Sequence, residues 1–450
     1  MAADKPAGWQ GAPFRHVLDW QNPDFYDMAK IEAESLRVFD ICHGCRRCFN
    51  LCDSFPRLFD LVDNGPTGEM DGVATKDYAK VVEACTLCDM CFMTKCPYVP
   101  PHEWAIDFPH LMLRYRAAEL KAGKKDRPAA ELGKTDRNGK LASLVAPLAN
   151  WGASCGNRLT RPIMEMAADV DRDAALPQFN FRTLSQQALD APPINHSAPG
   201  DGRKVALYAT CFGEYNQPAI GRAAQAILAH NGVQTEIVYP GCCGMPQLEQ
   251  GDIGNVASKA KSVAAALKPY IEDGFRIVAL IPSCALMLKA EWPLILPDDA
   301  DLRLLASNTS EISEYIVEIA RNEGLAPGLA ALEGGVTLHI ACHARAQNIG
   351  QKAADLLRLL PGVKLDVIER CSGHGGSWGV RKGNFEVALK VGKPVARAAV
   401  KQANRYVASE CPLAGIHIMQ GIEREAPPGS DLPAPYHPVE IFAKAYGLVA

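Results

Sequence analysis

Sixteen cysteines, grouped by regular spacings, constrain this 450-residue chain more than any other feature. Met1 to Gln10 has no apolar core of the signal-peptide kind, because Asp4, Pro6 and Gly8 interrupt it, so export is not expected. In an unexported chain, metal or redox chemistry explains many cysteines better than disulfides do. Cys42, Cys45, Cys48 and Cys52 form C-x2-C-x2-C-x3-C, and Cys85, Cys88, Cys91 and Cys96 form C-x2-C-x2-C-x4-C with Pro97 next. Three thiolates two residues apart can reach three irons of one cubane, and the fourth iron needs a ligand from elsewhere. In two-cluster ferredoxins the distal cysteine of each run serves the other cluster. The spacing therefore predicts one 4Fe-4S cluster on Cys42, Cys45, Cys48 and Cys96, and a second on Cys85, Cys88, Cys91 and Cys52. Structural zinc also uses C-x2-C pairs, but it needs only two pairs per site, and two runs of three overshoot that.

Apolar spacing predicts helices over Phe25 to Phe39 and Thr75 to Ala84, around the cysteine runs. From residue 201 the pattern changes to apolar strands alternating with Ala-rich helices. Strands are expected at 205–211, 233–239 and 276–281, with helices at 217–231 and 255–273 between them. The order recurs with strands at 336–342, 363–369 and 406–411 and helices at 351–360 and 385–403. Cys211, Cys242 and Cys284 step by 31 and 42 residues, and Cys342, Cys371 and Cys411 step by 29 and 40. Such self-similarity indicates a tandem duplication of parallel α/β units. Each cysteine then falls just past the carboxyl end of a strand, where open α/β sheets hold their ligands. Cysteine as a small core residue explains one or two of these positions. It does not explain six in register with an adjacent Cys242-Cys243 pair between glycines.

Ala209-Thr-Cys211, Gly241-Cys-Cys-Gly-Met-Pro246, Pro282-Ser-Cys284-Ala-Leu-Met287, Ala341-Cys-His343 and Cys371-Ser-Gly-His-Gly375 resemble the cysteine-rich CCG domain. That domain is shared by heterodisulfide reductase subunits and several iron-sulfur oxidoreductase subunits. The order of ferredoxin, linker and two CCG-type copies is similar to the iron-sulfur subunits of anaerobic glycerol-3-phosphate dehydrogenase and, more loosely, of glycolate oxidase. The run departures, Asp53 after Cys52 and the extra residue before Cys96, resemble α-helical ferredoxins of respiratory dehydrogenases. The resemblance implies a third 4Fe-4S cluster on Cys211, Cys242, Cys243 and Cys284, with Met287 where the family has a fifth cysteine. The second copy keeps only Cys342, Cys371 and Cys411, with Ser372 and Ala414 in cysteine positions. His343 or His374 could complete a fourth site there, since imidazole ligates iron.

The fold class expected is therefore multidomain: a mostly α-helical two-cluster ferredoxin domain plus duplicated α/β CCG-type domains with short parallel sheets. The boundaries are an N-terminal segment 1–35, the ferredoxin 36–120, a linker 121–200, and CCG copies 201–330 and 331–450. A Walker A loop, a G-x-G-x-x-G after a strand and an H-E-x-x-H are all missing from the sequence, and no flavin or nicotinamide site is expected. Gly375-Gly-Ser377-Trp-Gly379, with Asp431 and His437 downstream, matches the serine-hydrolase elbow, but a glycine turn precedes the serine where a strand is required. Cys155 stands outside every motif and is expected to be inert.

The function expected is electron transfer, as an oxidoreductase subunit, from a partner dehydrogenase through 4Fe-4S clusters to an acceptor. The family resemblance makes that acceptor a quinone. The alternatives are a heterodisulfide-type reductase acting at the CCG cluster and a soluble reductant of a non-haem iron protein. The longest apolar run, Ile277 to Leu288, contains Pro282 and Ser283 and falls short of the ~18–20 residues a bilayer span needs. Residues 121–140 carry seven Lys/Arg against three Asp/Glu, and Asp107 to Ala118 reads as an amphipathic helix with Arg114 and Arg116. Such a stretch can lie on an anionic membrane, though a solvated face plus flexible linker is the commoner meaning. The expected location is cytoplasmic, with peripheral attachment to the membrane's inner face. A net charge of −4 gives no reason to expect nucleic acid as a partner.

Overall fold

The computed structural model describes residues 13–448. Met1 to Gln10 lies outside the described residues. The chain divides into two compact units, one ending at Lys124 and the other beginning at Lys125.

The first unit is helical: α1 (Met28–Cys45), α2 (Ser54–Asp63), α3 (Tyr78–Ala84) and α4 (Phe108–Lys121). Asp27 starts α1 by accepting hydrogen bonds from the Ala29 and Lys30 N–H groups, which would otherwise lack partners. Phe39 of α1, Phe55 of α2, Tyr78 of α3 and Phe108 of α4 are all buried. Phe39 meets Tyr78 edge-on at 5.2 Å, and Phe55 lies 4.7 Å from Phe108. Offset and edge contacts of this kind add to the area they bury. The first helix starts later than Phe25 and runs on to Cys45, so a boundary at residue 36 would cut it. Arg15, in the segment preceding it, binds Asp89 at 2.6 Å and Asp107 at 3.1 Å and lies over the Phe92 ring. The α4 arginines are half-buried and bind backbone carbonyls. Arg114 donates to the Phe25 carbonyl at 2.8 Å, and Arg116 to the Val82 and Cys85 carbonyls.

The second unit holds two four-stranded sheets, parallel throughout. The first comprises β1 (Lys204–Tyr208), β2 (Gln234–Val238), β3 (Arg276–Ala279) and β4 (Thr309–Glu311) in the order β2-β1-β3-β4. The second comprises β5 (Val336–His339), β6 (Leu365–Ile368), β7 (Tyr406–Ser409) and β8 (Ala434–Tyr436) in the order β6-β5-β7-β8. The register repeats as well: Ala206 pairs with Glu236 and Ile277, and Thr337 with Asp366 and Val407. Central strands are buried along their length, as Val205-Ala-Leu-Tyr208 and Val336-Thr-Leu-His339 require when helices cover both faces. The order changes direction at β1 and β5, so a crevice opens past their carboxyl ends.

The expected linker is not one. Residues 125–200 fold into helices that belong to the second unit, among them α5 (Arg127–Leu132), α6 (Thr135–Leu144), α7 (Ala146–Ala153) and α8 (Arg161–Ala168). Their partners lie in the sheets' own loops. Gln247 Nε2 donates to the Gly133 carbonyl at 2.5 Å, Gln250 Nε2 donates to the Ala129 carbonyl at 3.0 Å, and Arg381 pairs with Asp126 and Asp169. Gly139 of α6 lies so close to Tyr215 that a Cβ would stand 2.2 Å from its ring. The apparent lack of periodicity in 121–200 reflects short helices that pack on other elements through only a few residues each.

Gly392 sits inside the helix Phe385–Gln402, where alanine is the better helix former by about 1 kcal/mol. A Cβ there would lie 2.2 Å from the Ser372 carbonyl oxygen. Gly392→Ala is therefore expected to destabilise the protein by about 2 kcal/mol despite the gain in propensity. Urea unfolding followed by circular dichroism checks the sign, and a stabilised variant would contradict the close approach.

Candidate iron-sulfur centres

In the first unit, α1 ends on Cys42 and Cys45, and Arg46 in the left-handed region (φ 50°) turns the chain toward Cys48. Leu87 and Asp89, also at positive φ, bend the loop that carries Cys85 and Cys88. A π-helical turn, Cys91–Lys95, then leads to Cys96, held extended ahead of Pro97. Cys42, Cys45, Cys48 and Cys96 line one small cavity, together with the cationic Arg47 and Lys95. Burial pushes the Cys42 thiol up, and the neighbouring Cys96, Cys48 and Cys45 push it further. Cys48 rises to about 12 by burial and by Cys96 and Cys45, against the opposing Lys95 and Arg47. Cys91 is raised by burial, then by Cys88, Cys85, Cys52 and Cys48. Cys96 thus stands with the first three cysteines of the other run, and Cys52 is among the neighbours of Cys91.

In the first repeat, Cys211 follows β1, Cys242 and Cys243 follow β2, and Cys284 follows β3. Thr210, a buried β-branched residue held at φ 61°, turns Cys211 into the crevice. Such a backbone costs of order 1–3 kcal/mol and persists only where its surroundings enforce it. Cys243 and Cys284 Sγ atoms are 3.2 Å apart, and Cys211 is hydrogen-bonded to Cys242. Cys242 Sγ accepts from the Gly244 N–H at 3.4 Å, and Trp292 Nε1 donates to the Cys243 carbonyl at 3.1 Å. Tyr208 OH ties the preceding Gly241 carbonyl at 2.6 Å. Among the described residues, no three His, Cys, Asp or Glu side chains are gathered tightly enough to hold a single metal ion. A mononuclear site with Zn–S bonds of about 2.3 Å requires that tightness. Four cysteines from three strand ends make a thiolate donor set of the kind iron-sulfur clusters use.

The family comparison agrees with the sheet ends. The model of the CCG cysteine-rich domain matches residues 205–289 and again 336–418. The chain carries the CCG cysteine-rich domain twice. Similar proteins include the C subunit of anaerobic glycerol-3-phosphate dehydrogenase from Escherichia coli K12, 24% identical over 286 residues, covering 62% of this chain and 69% of that protein. The B subunit of fumarate reductase (CoM/CoB) from Methanothermobacter marburgensis is 26% identical over 229 residues, covering 50% of this chain and 43% of its own length. Lactate utilization protein A of Bacillus velezensis is 27% identical over 219 residues, covering 46% of this chain and 87% of its own. Two of these are named as subunits of dehydrogenase or reductase complexes.

The second CCG copy repeats the backbone device. Cys371 Sγ accepts from the Gly373 N–H at 3.3 Å, as Cys242 does from Gly244. Burial raises Cys371, opposed by Gly373 and the Arg345 guanidinium. Cys411 rises to about 11 mainly by burial, with Glu410 and then Cys284 of the first copy adding to it. Cys342 opens a short helix, Cys342–Ala346, that packs against Pro282–Leu286, so the two copies meet through their ligand loops. The histidines are engaged differently. His343 Nδ1 is 2.7 Å from Ser283 Oγ. His374 faces His417 with ring centroids 6.0 Å apart, and burial drops it to about 3.

His437 cannot serve Ser377, because its Nε2 meets the Glu410 carbonyl at 3.1 Å and its Nδ1 caps the helix Pro438–Ala445. Cys155 is exposed, its Sγ 3.7 Å from the Asp173 carbonyl. Sequence reasoning missed Trp292, Tyr208 and Thr135, whose contacts to the cysteine loops span tens of residues and leave no local spacing. Trp292 is fully buried, and its indole N–H holds the carbonyl of a cysteine. Trp292→Phe keeps most of the volume but removes that donor, and is expected to cost about 1–2 kcal/mol, measured by thermal unfolding of the full chain.

Proposed function

We propose that this protein is an iron-sulfur electron-transfer subunit that relays electrons between a partner dehydrogenase or reductase and an acceptor, with a quinone as that acceptor. The reading is supported by Cys42, Cys45, Cys48 and Cys96 lining one cavity in the helical unit and by the Cys243 and Cys284 sulfurs lying 3.2 Å apart beyond the first CCG sheet. On this reading residues 36–120 act as a two-cluster ferredoxin. Cys42, Cys45, Cys48 and Cys96 would hold one 4Fe-4S cluster, Cys85, Cys88, Cys91 and Cys52 another, and Cys211, Cys242, Cys243 and Cys284 a third. Bound clusters supply one-electron steps at potentials set by hydrogen bonds, burial and charge.

The chain's own residues supply those settings. Buried thiols that raise one another's proton affinity need a cationic core before they can stay deprotonated. Arg47 and Lys95 add positive charge beside the first set. Arg116 fixes the Cys85 carbonyl, and the Gly244 N–H steadies Cys242. A partner for substrate oxidation is in keeping with relatives that are named as subunits of larger enzymes. Iron and sulfide analysis of anaerobically purified protein, with EPR, tests the reading. About twelve irons per chain are expected; about eight would remove the CCG cluster, and about sixteen would add one on Cys342, Cys371 and Cys411.

Peripheral attachment to an anionic membrane surface is part of the same proposal. None of the helices among the described residues is long and apolar enough to cross a membrane. However, Leu141 and Leu144 of α6, Leu148 and Trp151 of α7, and Ile163 and Met166 of α8 are exposed, Met166 at 83%. Exposed Lys140 and Arg158 accompany this row of large apolar side chains. Apolar side chains with a tryptophan and flanking cations suit the headgroup boundary. Flotation with vesicles containing phosphatidylglycerol is expected to carry the protein, and Leu148→Glu with Trp151→Glu to release it. Equal behaviour of the double variant would exclude this face as the attachment.

A further inference from the structure

We infer that Thr135, from the helices between the cysteine-rich units, is a positioning residue that sets the potential of the cluster in the first CCG copy through its hydrogen bond to Cys242. This rests on the assignment of Cys211, Cys242, Cys243 and Cys284 as ligands. Thr135 Oγ1 donates to Cys242 Sγ at 3.3 Å, from 107 residues away in sequence. The same hydroxyl also reaches Cys211.

The bond stands out when the two copies are compared. The N–H of the glycine two residues on binds the sulfur in both, at Cys242 and at Cys371, so that donor is a property of the domain. Thr135 lies outside both matched regions. Its placement is enforced on either side. Asp136, the next residue, accepts from Lys259 Nζ at 2.8 Å and from the Tyr239 hydroxyl, both belonging to the first copy. Gln247 and Gln250 hold the Gly133 and Ala129 carbonyls just upstream, and Gly139 abuts Tyr215 just downstream. A helix start clamped at five points beside a cysteine has little freedom to move its hydroxyl away.

The direction of the effect follows from charge. One electron added to a thiolate-ligated cluster raises the negative charge on its sulfurs, and a hydroxyl donor stabilises the more negative state. Removing the donor disfavours reduction. No proton or leaving group is involved, and in the measurement dithionite supplies the electron.

The experiment is an EPR-monitored redox titration of the full, anaerobically purified chain, comparing wild type with Thr135→Val, Thr135→Ala and Thr135→Ser. The signal of the CCG cluster is identified by its loss in Cys284→Ala. Val and Ala are expected to move that signal alone to lower potential, by an amount equal to about a tenfold loss in its reduction equilibrium constant. Ser is expected to restore the wild-type midpoint, and the two other clusters to titrate unchanged. A cluster that is present but unmoved in Val and Ala would overturn the inference and leave the proposed function standing. Loss of its irons in Val and Ala would also overturn it, making Thr135 an assembly residue. Absence of a CCG signal in the wild type would remove the cluster assignment itself and the inference with it.

Discussion

Buried thiols brought close together cannot all lose their protons without a positive charge among them. Burial disfavours each thiolate, and every neighbouring sulfur adds to the penalty, as at Cys42, Cys48 and Cys91. A fold that gathers such groups either leaves them protonated and inert or presents them to a cationic core. Both units gather such groups. In the helical unit, left-handed turns at Arg46, Leu87 and Asp89 aim thiols from two runs at shared positions. In the CCG unit, parallel strands accomplish the same, because every connection returns to the same end and the loops after β1, β2 and β3 share one edge.

The duplication is geometrical rather than chemical. Strand order, register and the glycine N–H on the central cysteine recur, whereas the second copy carries three motif cysteines to the first copy's four. The second copy's ligand loops instead meet the first copy's. His343 binds Ser283, Gln347 Nε2 donates to the Pro282 carbonyl at 3.2 Å, and Cys411 lies where Cys284 affects it. Buried carboxyls lie along the same contact: Glu311 rises to about 7 mainly by burial, and Glu410 to about 8 by burial and by Glu311. A degenerate repeat thus walls the crevice of the intact one, and two of its buried histidine nitrogens, His374 Nε2 and His417 Nε2, have no hydrogen-bond partner among the described residues.

Much of this is legible in residue order because cysteine spacing and strand periodicity are local signals. The cores of the strands and long helices fall where the pattern places them, with most ends drawn in as loops take over, while α1 runs on to Cys45 and the helix expected from 255 starts at Ile253. Two strands leave no such signal. Thr309-Ser-Glu311 and Ala434-Pro-Tyr436 are three residues long and lack an apolar run, and they become strands by pairing at the sheet edges. The helices of 125–168 resemble a linker in sequence for a related reason. Several of their outward residues are apolar, and their holding contacts, from Arg381, Gln247 and Lys259, come from far along the chain.

By itself the sequence determined which atoms are available: two cysteine runs, a duplicated strand-cysteine unit and a missing pair of thiols in the second copy. Covalent order and periodicity carry that information directly. Only the tertiary structure decided which donors stand beside each sulfur, that Arg114 and Arg116 bind backbone carbonyls, and that a supposed linker clamps Thr135 onto Cys242. Such contacts are set by packing between segments remote in the chain, and residue order leaves no periodic trace of them.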